Sequence, residues 1–579
     1  MQMKINKQYK VIPFIMVIIV VLGSAVSCTD VFDESQLNQA PEQDLDFDKV
    51  FTDYQQFRQY LDYSYYFMPG HLGRMWNSMV AELSDEAEGI GVNVCSSVFN
   101  NGAWSGDEIP GIGSNPAANA NRELSDMWND LFKGIRQVNN VIKNIDLVEN
   151  FPSQKVYERS LGEAYFIRGF LYFELVKRWG GVPLFDRPLQ LGKDELDVPR
   201  NTYEESINFI VEDCNRAAQL LGLENLGGDT GRATKGAALA LKSRTLLYAA
   251  RPLNNPSQDV EKWKAAAAAA WDVINLNQYS LDPDYVNMFF RSDLGNEIIM
   301  NRPRPKINFE QGHSDNSNFL VRFIVPQGYD GWMGTAVTQN FVDLYEDSNG
   351  FPITNASSNY NPNDPYVNRD PRLKMTVLYN DRYWYSRNTQ FYTGGLDYGS
   401  TLINPIGYSI AKFWPEAHQR YKGTSTYLNY IYFRYAEVLL NYAEAVNEAY
   451  GPDGAHPGAG LTARNATSQV RQRVNQVPIP LELSSSKETM RERIHNERAI
   501  ELSFEEQRWY DVLSWNKGVE IFGEENPIKG MKITKNPDDT FIYEPYVYET
   551  RVFRPHMNRY PIPNSEIYKS TVLEQNPGW

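Results

Sequence analysis

A chain of 579 residues with 42% hydrophobic and 13% aromatic side chains has enough apolar material for large buried cores, which excludes a disordered polymer. Its 72 acidic residues outweigh 56 Lys and Arg for a formal charge of −16, and no Lys/Arg-rich run interrupts them, so nucleic-acid phosphates and anionic headgroups would repel it. Three cysteines, Cys28, Cys95 and Cys214, share no C-x-x-C spacing and indicate neither a zinc site nor a redox motif.

The first element is an export segment. Lys4, Lys7 and Lys10 precede a twelve-residue apolar run from Val11 to Leu22. As a helix that run spans roughly 18 Å, short of the about 30 Å of a bilayer core, so residues 1–27 read as a signal peptide and not a membrane span. Ser24-Ala25-Val26-Ser27 leads into Cys28, similar to a lipobox with Ala25 where Leu is usual. An ordinary A-x-S cleavage site cuts the same bond; the two readings differ in whether Cys28 is acylated, and an odd thiol at the first mature position favours the lipid. Residues 28–45 are polar and read as a lipidated tether, with Asp30, Asp33 and Glu34 directly after the cysteine. Cys95 and Cys214 pair or remain buried thiols; spacing does not decide.

Helical periodicity follows. Leu124, Trp128, Leu131, Ile135, Val138 and Ile142 recur at three- and four-residue steps, as do Leu161, Tyr165, Phe166, Phe170, Phe173 and Val176. Further helices are expected over 203–221, 235–250 and 263–275, the last smoothed by Ala265 to Ala270. Starts spaced by roughly 30–40 residues suggest helix pairs of the tetratricopeptide type, without the strict repeat signature. From about residue 280, pairs such as Asn361-Pro362, Asp364-Pro365, Gly394-Gly395 and Asn404-Pro405 punctuate short aromatic stretches. Residues 383–385 and 319–325 read as short strands within a loop-rich insertion over about 300–425. Helices return over 430–449, 462–476 and 487–504. The expected class is mostly α: a helical scaffold with a loop-rich insertion carrying short strands, in one large compact unit. Its parts are a helical-repeat stretch over 46–290 and a C-terminal stretch over 291–579.

Several strings together resemble the SusD/RagB-like family of outer-membrane nutrient-binding lipoproteins. They are Arg168-x-x-x-Tyr172-Phe173-x-Leu175 running into Trp179-Gly180-Gly181-Val182-Pro183-Leu184, then Asp370-Pro371-Arg372. Arg434-Tyr435-Ala436-Glu437-Val438-Leu439-Leu440-x-x-Ala443-Glu444-Ala445 comes next. Arg493-Ile494-x-x-Glu497-Arg498-Ala499-x-Glu501-Leu502 follows, with Glu505, Arg508 and Trp509-Tyr510-Asp511 after it. Pro561-Ile562-Pro563 and Gln575-Asn576-Pro577-Gly578-Trp579 end the series, and their joint order covers nearly the whole chain. In physical terms Glu437, Glu444, Glu497, Arg498 and Arg508 stand beside apolar residues on helices, a pattern of buried ion pairs that fix helix docking and not of a ligand site.

Motifs for chemistry are sparse. There is no H-E-x-x-H, G-x-S-x-G or Walker-type Gly-Lys-Ser/Thr. His71, His313, His418, His456, His495 and His556 are scattered, none at metal-ligand spacing from another. Asp44, Asp46 and Asp48 imitate the start of a calcium loop, but Lys49 stands where Gly is needed and Gln55 where Glu is needed. No cofactor or metal is indicated. The resemblance implies binding without bond cleavage.

Ligand contacts concentrate on loops held by a rigid scaffold. Trp104, in Asn100-Asn101-Gly102-Ala103-Trp104-Ser105-Gly106, has little local apolar company and is expected to be exposed; the resemblance places an aromatic sugar platform in this loop. Asp85 precedes it as a hydroxyl acceptor. Tyr329 and Trp332 form a second Gly-flanked aromatic loop, and Arg387 follows the Tyr-Trp-Tyr stretch as a polar contact. The alternative for each is a loop anchor plugged into the scaffold. The resemblance further implies a superhelical helix-pair support, a glycan ligand, a lipid anchor at the outer membrane facing outward, and a TonB-dependent β-barrel (SusC-like) transporter as partner. Peptide capture by a member of the same family and a ligand-free helical scaffold are the rival readings.

Overall fold

The computed structural model describes residues 50–579 except 71, 74, 76–77, 91–94, 110–115, 226–228, 294, 304–306, 309–320, 322, 400–405 and 415–424. The export segment, the tether with Cys28, and His71, His313 and His418 lie outside the described residues. The described residues fall into two units in place of the single one expected: residues 50–60 with 144–151, and residues 61–143 with 152–579.

The expected helices are present. Helix α1 spans Tyr54–Ser64, α2 Ser125–Asn144, α3 Gln154–Trp179, α4 Tyr203–Leu220, α5 Lys235–Ala250 and α6 Val260–Ile274. Caps fix their starts. Thr202 accepts from the Glu205 N–H while Glu205 reaches back to Thr202, and Ser153 and Thr234 accept from Val156 and Ala237. From α3 to α6 each helix packs on the next, and α6 packs on α7 (Tyr435–Tyr450). Helices α8 (Ala463–Gln472) and α9 (Lys487–Glu501) pack in turn on α7. The alanines of α6 allow this stacking: Ala266, Ala267, Ala269 and Ala270 are buried between neighbours. Helix α10 (Arg508–Ser514) follows. Among the described residues no helix is long and apolar enough to cross a membrane.

Strands are short and paired two by two. β1 (Ala87–Gly89) pairs antiparallel with β3 (Thr335–Val337), and β2 (Ile298–Arg302) with β6 (Tyr430–Arg434). β4 (Tyr383–Trp384) and β5 (Arg387–Asn388) form a small hairpin. Residues 430–434, expected to open a helix, are instead strand β6, because Tyr, Ile and Phe alternate there and pair with β2 before α7 begins. The stretch expected as a strand over 319–325 is helical at its described residues 321, 323 and 324. The longest strands, β7 (Ile528–Lys535) and β8 (Phe541–Glu549), form a hairpin not anticipated from the sequence. Ile528, Met531 and Ile533 of β7 are buried in the same core as Ile406, Phe341 and Trp384.

Buried arginines bind the helices together. Arg251 (α5–α6 junction) reaches Glu444 at 2.7 Å and Asp511 at 2.7 Å, and Arg498 reaches Asp511 at 2.9 Å. Arg244 pairs with Glu437 at 2.6 Å, and Arg434 meets Glu297, Glu501 and Glu505 at 2.6–2.8 Å. Arg372 lies between Asp370, Glu497 and Glu501. The glutamates and arginines of the family strings are thus docking pins between helices, as their sequence setting implies. Cys95 and Cys214 are both buried free thiols; Cys95 Sγ donates to the Met75 carbonyl at 2.8 Å, and burial pushes the Cys214 thiol pKa far up.

Candidate functional site

The loop from Phe323 to Gly334 is closed on itself. Pro326 starts a single 3-10 turn over Gln327–Tyr329, and Asp330 (φ 65°) and Met333 (φ 49°) adopt left-handed backbone to bring the chain back. Gly331 donates to the Pro326 carbonyl at 3.1 Å, Met333 to Val325 at 3.0 Å, and Gly334 to Phe323 at 2.6 Å. A Cβ on Gly331 would stand 1.9 Å from the Val325 carbonyl oxygen, so only glycine permits this return. Val325 and Met333 insert into the core and hold the base of the loop. At its tip Trp332 is 42% exposed, braced edge-on by the Phe323 ring at 5.2 Å and 79°. A bulky apolar ring left in water on a backbone this well tied is not a collapsed core residue.

The β4–β5 hairpin docks beside it. The Tyr329 hydroxyl donates to the Trp384 carbonyl at 3.0 Å, and the Arg387 guanidinium lies 4.0 Å over the Tyr329 ring. Arg387 is itself held by Asp397 through two bonds of 2.6 and 2.8 Å, with Asp397 fully buried and also accepting from the Gln390 N–H at 2.8 Å. Tyr329 packs against Trp414 at 5.3 Å and Trp414 against Trp384 at 5.6 Å. Tyr383 projects outward from the hairpin, 62% exposed. The structure therefore brings Arg387 of the hairpin over Tyr329 of the loop that carries Trp332. Its outward chemistry is aromatic faces flanked by a guanidinium already neutralised by a carboxylate, an arrangement for stacking and hydrogen bonding of a ligand.

Two other expected contacts are corrected. Trp104 is not an exposed loop residue: it is 2% exposed, with Trp579, Phe99 and Tyr560 at 4.9, 5.0 and 5.2 Å. Apart from Phe99, its aromatic company comes from the far end of the chain, which no local window reveals. Asp85 is buried with both carboxylate oxygens taken by Arg508 at 2.9 Å, and its carbonyl accepts from the Thr338 hydroxyl. It is a clamp between β1 and α10, not an acceptor for ligand hydroxyls. Glu86 beside it is buried as well, and burial raises its carboxyl to about 8 although the Phe504 N–H donates to it.

The sequence reading missed Tyr383, Trp384, Trp414 and Asp397 as parts of this face. The Tyr-Trp-Tyr stretch carried a signal, since alternation in a short strand puts Tyr383 out and Trp384 in. Trp414 and Asp397 carried none.

The second half of the chain, residues 296–579, matches the family described as the SusD family, and residues 76–247 match one described as starch-binding and associating with the outer membrane. The chain belongs to the SusD/RagB family. A SusD-like protein of Formosa agariphila is 25% identical over 423 residues, covering 70% of this chain and 74% of the relative. The crystal structure of a SusD-like protein from Bacteroides fragilis is 27% identical and superposes with a TM-score of 0.74, covering 92% of this chain and 98% of that one. A surface glycan-binding protein A from Bacteroides fluxus shares the fold at a TM-score of 0.60 and 21% identity, over 91% of this chain and all of that one. The SusD-like class expected from the strings and helix pairs is the observed one.

Proposed function

We propose that this SusD-family chain captures glycans at the outer surface of the cell, without cleaving them, through the face built by Trp332, Tyr329 and Arg387. The observation that carries the reading is the solvent-facing Trp332 indole on a loop locked by its own backbone bonds. A pyranose has an apolar C–H face that stacks on such a ring while its hydroxyls find phenol, guanidinium and backbone partners. Support comes also from a relative named a surface glycan-binding protein and from the starch-binding description of the family matched by residues 76–247.

Native electrophoresis of the protein through gels containing soluble starch, xylan, mannan, galactan or laminarin tests this. At least one polymer is expected to retard the wild type and to keep its length on incubation. Trp332→Ala is expected to weaken that retardation. Loss of one stacked ring costs about 1–3 kcal/mol by analogy with base stacking, roughly fivefold to over a hundredfold in affinity. No retardation by any polymer, with binding to a peptide library instead, overturns the glycan reading.

The same proposal anchors the chain by acylated Cys28 and seats it on a TonB-dependent β-barrel. Purification of the native protein from membranes in mild detergent is expected to yield an acylated mature N-terminus and a larger β-rich partner. Cys28→Ala is expected to release the chain from the membrane with its fold intact. A free thiol at position 28 in a soluble protein, or the lipoprotein alone in every detergent, counts against that half of the reading.

A further inference from the structure

A second aromatic face stands apart from the Trp332 loop. Tyr63, the last residue but one of α1, and Tyr66, in the single 3-10 turn over Tyr65–Phe67, are three positions apart and lie on one side of the chain. They are 53% and 64% exposed. Their rings are parallel within 6°, with centroids 5.5 Å apart. Phe67 meets both edge-on, at 5.4 and 5.7 Å. Parallel rings this close overlap with an offset, so the pair covers its inner faces and turns one outer ring face, with the uncovered part of its neighbour, to solvent.

The pair is held from beneath. Helix α2 presses on Phe67 at Gly134, where a Cβ would stand 2.6 Å from the Phe67 Cβ, so glycine is needed for this approach. From the intervening position the Tyr65 hydroxyl accepts from the Ala233 N–H at 3.0 Å, and Arg232 lies 5.2 Å over the Tyr65 ring while bonding Asp62. Exposed Lys133 and Asp130 of α2, paired at 3.0 Å, supply charged donors and acceptors on the helix that carries Gly134. Two large rings are thus kept in water on pinned backbone, which folding alone does not require.

We propose that Tyr63 and Tyr66 form a second sugar-stacking platform for the same polymer that the Trp332 face holds, an inference that rests on the glycan reading. The outer face of the stacked pair takes one pyranose of the chain, with the two phenol hydroxyls beside it. A short distance on from Phe67, Leu72 enters the core that also buries Val325 and Met333 under the Trp332 loop. Both platforms therefore ride on one rigid body, and a chain long enough to reach both is held by two attachments, which multiplies affinity without new contacts. Short oligosaccharides use one platform only.

The test runs wild type, Trp332→Ala, Tyr63→Ala/Tyr66→Ala and Tyr63→Phe/Tyr66→Phe through the five polymer gels, with calorimetry against trisaccharides cut from the retarding polymer. The Ala pair is expected to lose about fivefold or more in polymer affinity, near 1 kcal/mol, while trisaccharide affinity and melting temperature stay at wild-type values. The Phe pair keeps the rings and is expected to bind as wild type. Trp332→Ala is expected to lose both polymer and trisaccharide. Wild-type retardation of the Ala pair in every gel overturns the second platform and leaves the first intact; no retardation of the wild type at all overturns both. Loss of trisaccharide binding by the Ala pair means the tyrosines act through the fold, and loss of a copurifying protein with polymer binding unchanged means they dock a protein. Each overturns the proposal.

Discussion

Trp104→Ala is expected to cost about 3–5 kcal/mol of folding stability and to leave glycan binding unchanged. The indole stands at the centre of an aromatic cluster of the nearby Phe99 at 5.0 Å and three distant rings, Tyr560 at 5.2 Å, Trp579 at 4.9 Å and Trp509 at 6.5 Å. Truncation removes the packing of all four rings at once, and backbone tied on both sides prevents collapse: Gly102 and Ala103 donate to Phe99 and Val98, and Val552 donates to Asn100. Among the described residues the buried indole N–H has no hydrogen-bond partner, so the residue stabilises by shape and area and not by its polar atom. Trp104→Phe, which discards the orphan donor while keeping a ring, is therefore expected to lose much less. Urea unfolding measures the first quantity and gel retardation by the bound polymer the second. A melting temperature equal to wild type together with lost binding would restore Trp104 as a sugar platform.

Arg251→Ala is expected to be as damaging, about 3–5 kcal/mol, for an electrostatic reason. Arg251 is fully buried and bonds Glu444 at 2.8 and 2.7 Å and Asp511 at 2.7 Å. Without it two carboxylates remain in the interior with Arg498 as the nearest cation, and that cation already serves Asp511 at 2.9 Å and Asn441 at 2.7 Å. Burial alone would raise the Asp511 carboxyl; Arg251 and Arg498 outweigh it and hold it at about 2. The folded pKa lies below the ordinary aspartate value of 3.8, so this stabilisation is present above that value and is lost as pH falls through about 2. The wild type should thus lose stability across that acid window, and the variant, already deprived of the interaction, should lose less there. A cycle with Glu444→Gln is expected to show coupling, the double variant being less damaged than the sum of the singles. Additive losses would mean that Arg251 acts by packing alone.

The helices were legible because their information is local. Helix α5 begins and ends where Lys235 and Ala250 suggested, and the Ala run of α6 is buried as a smooth face should be. The ion-pair reading of Glu437, Glu444, Glu497 and Arg498 also held, since charged residues embedded in an apolar helical stripe have few other fates. What failed depended on distant partners. Residues 430–434 became a strand because β2 lies beside them, and the β7–β8 hairpin was hidden by charged residues on its outer face. Trp104 looked solitary because three of its four aromatic neighbours, Trp509, Tyr560 and Trp579, lie more than 400 positions away. For the candidate site, the Gly-flanked setting of Tyr329 and Trp332 was visible, while Asp397, which fixes Arg387 over Tyr329, could be found only in three dimensions.

The same long reach has a consequence for the order of events in biogenesis. Asp85 is clasped by Arg508, Glu88 by Arg551, Trp179 by the Pro561 carbonyl and Trp104 by Trp579. An emerging chain can form helices α2 to α6 from neighbours alone, but Asp85, Glu88, Trp104 and Trp179 wait for a segment not yet synthesised. Closure of these clasps must follow translation of residues 508–579. Until then the nascent protein is a string of loosely associated helices, slow to lock because its decisive contacts are the most remote ones. Such a chain stays open to chaperones and to passage through a narrow pore for as long as its own synthesis lasts.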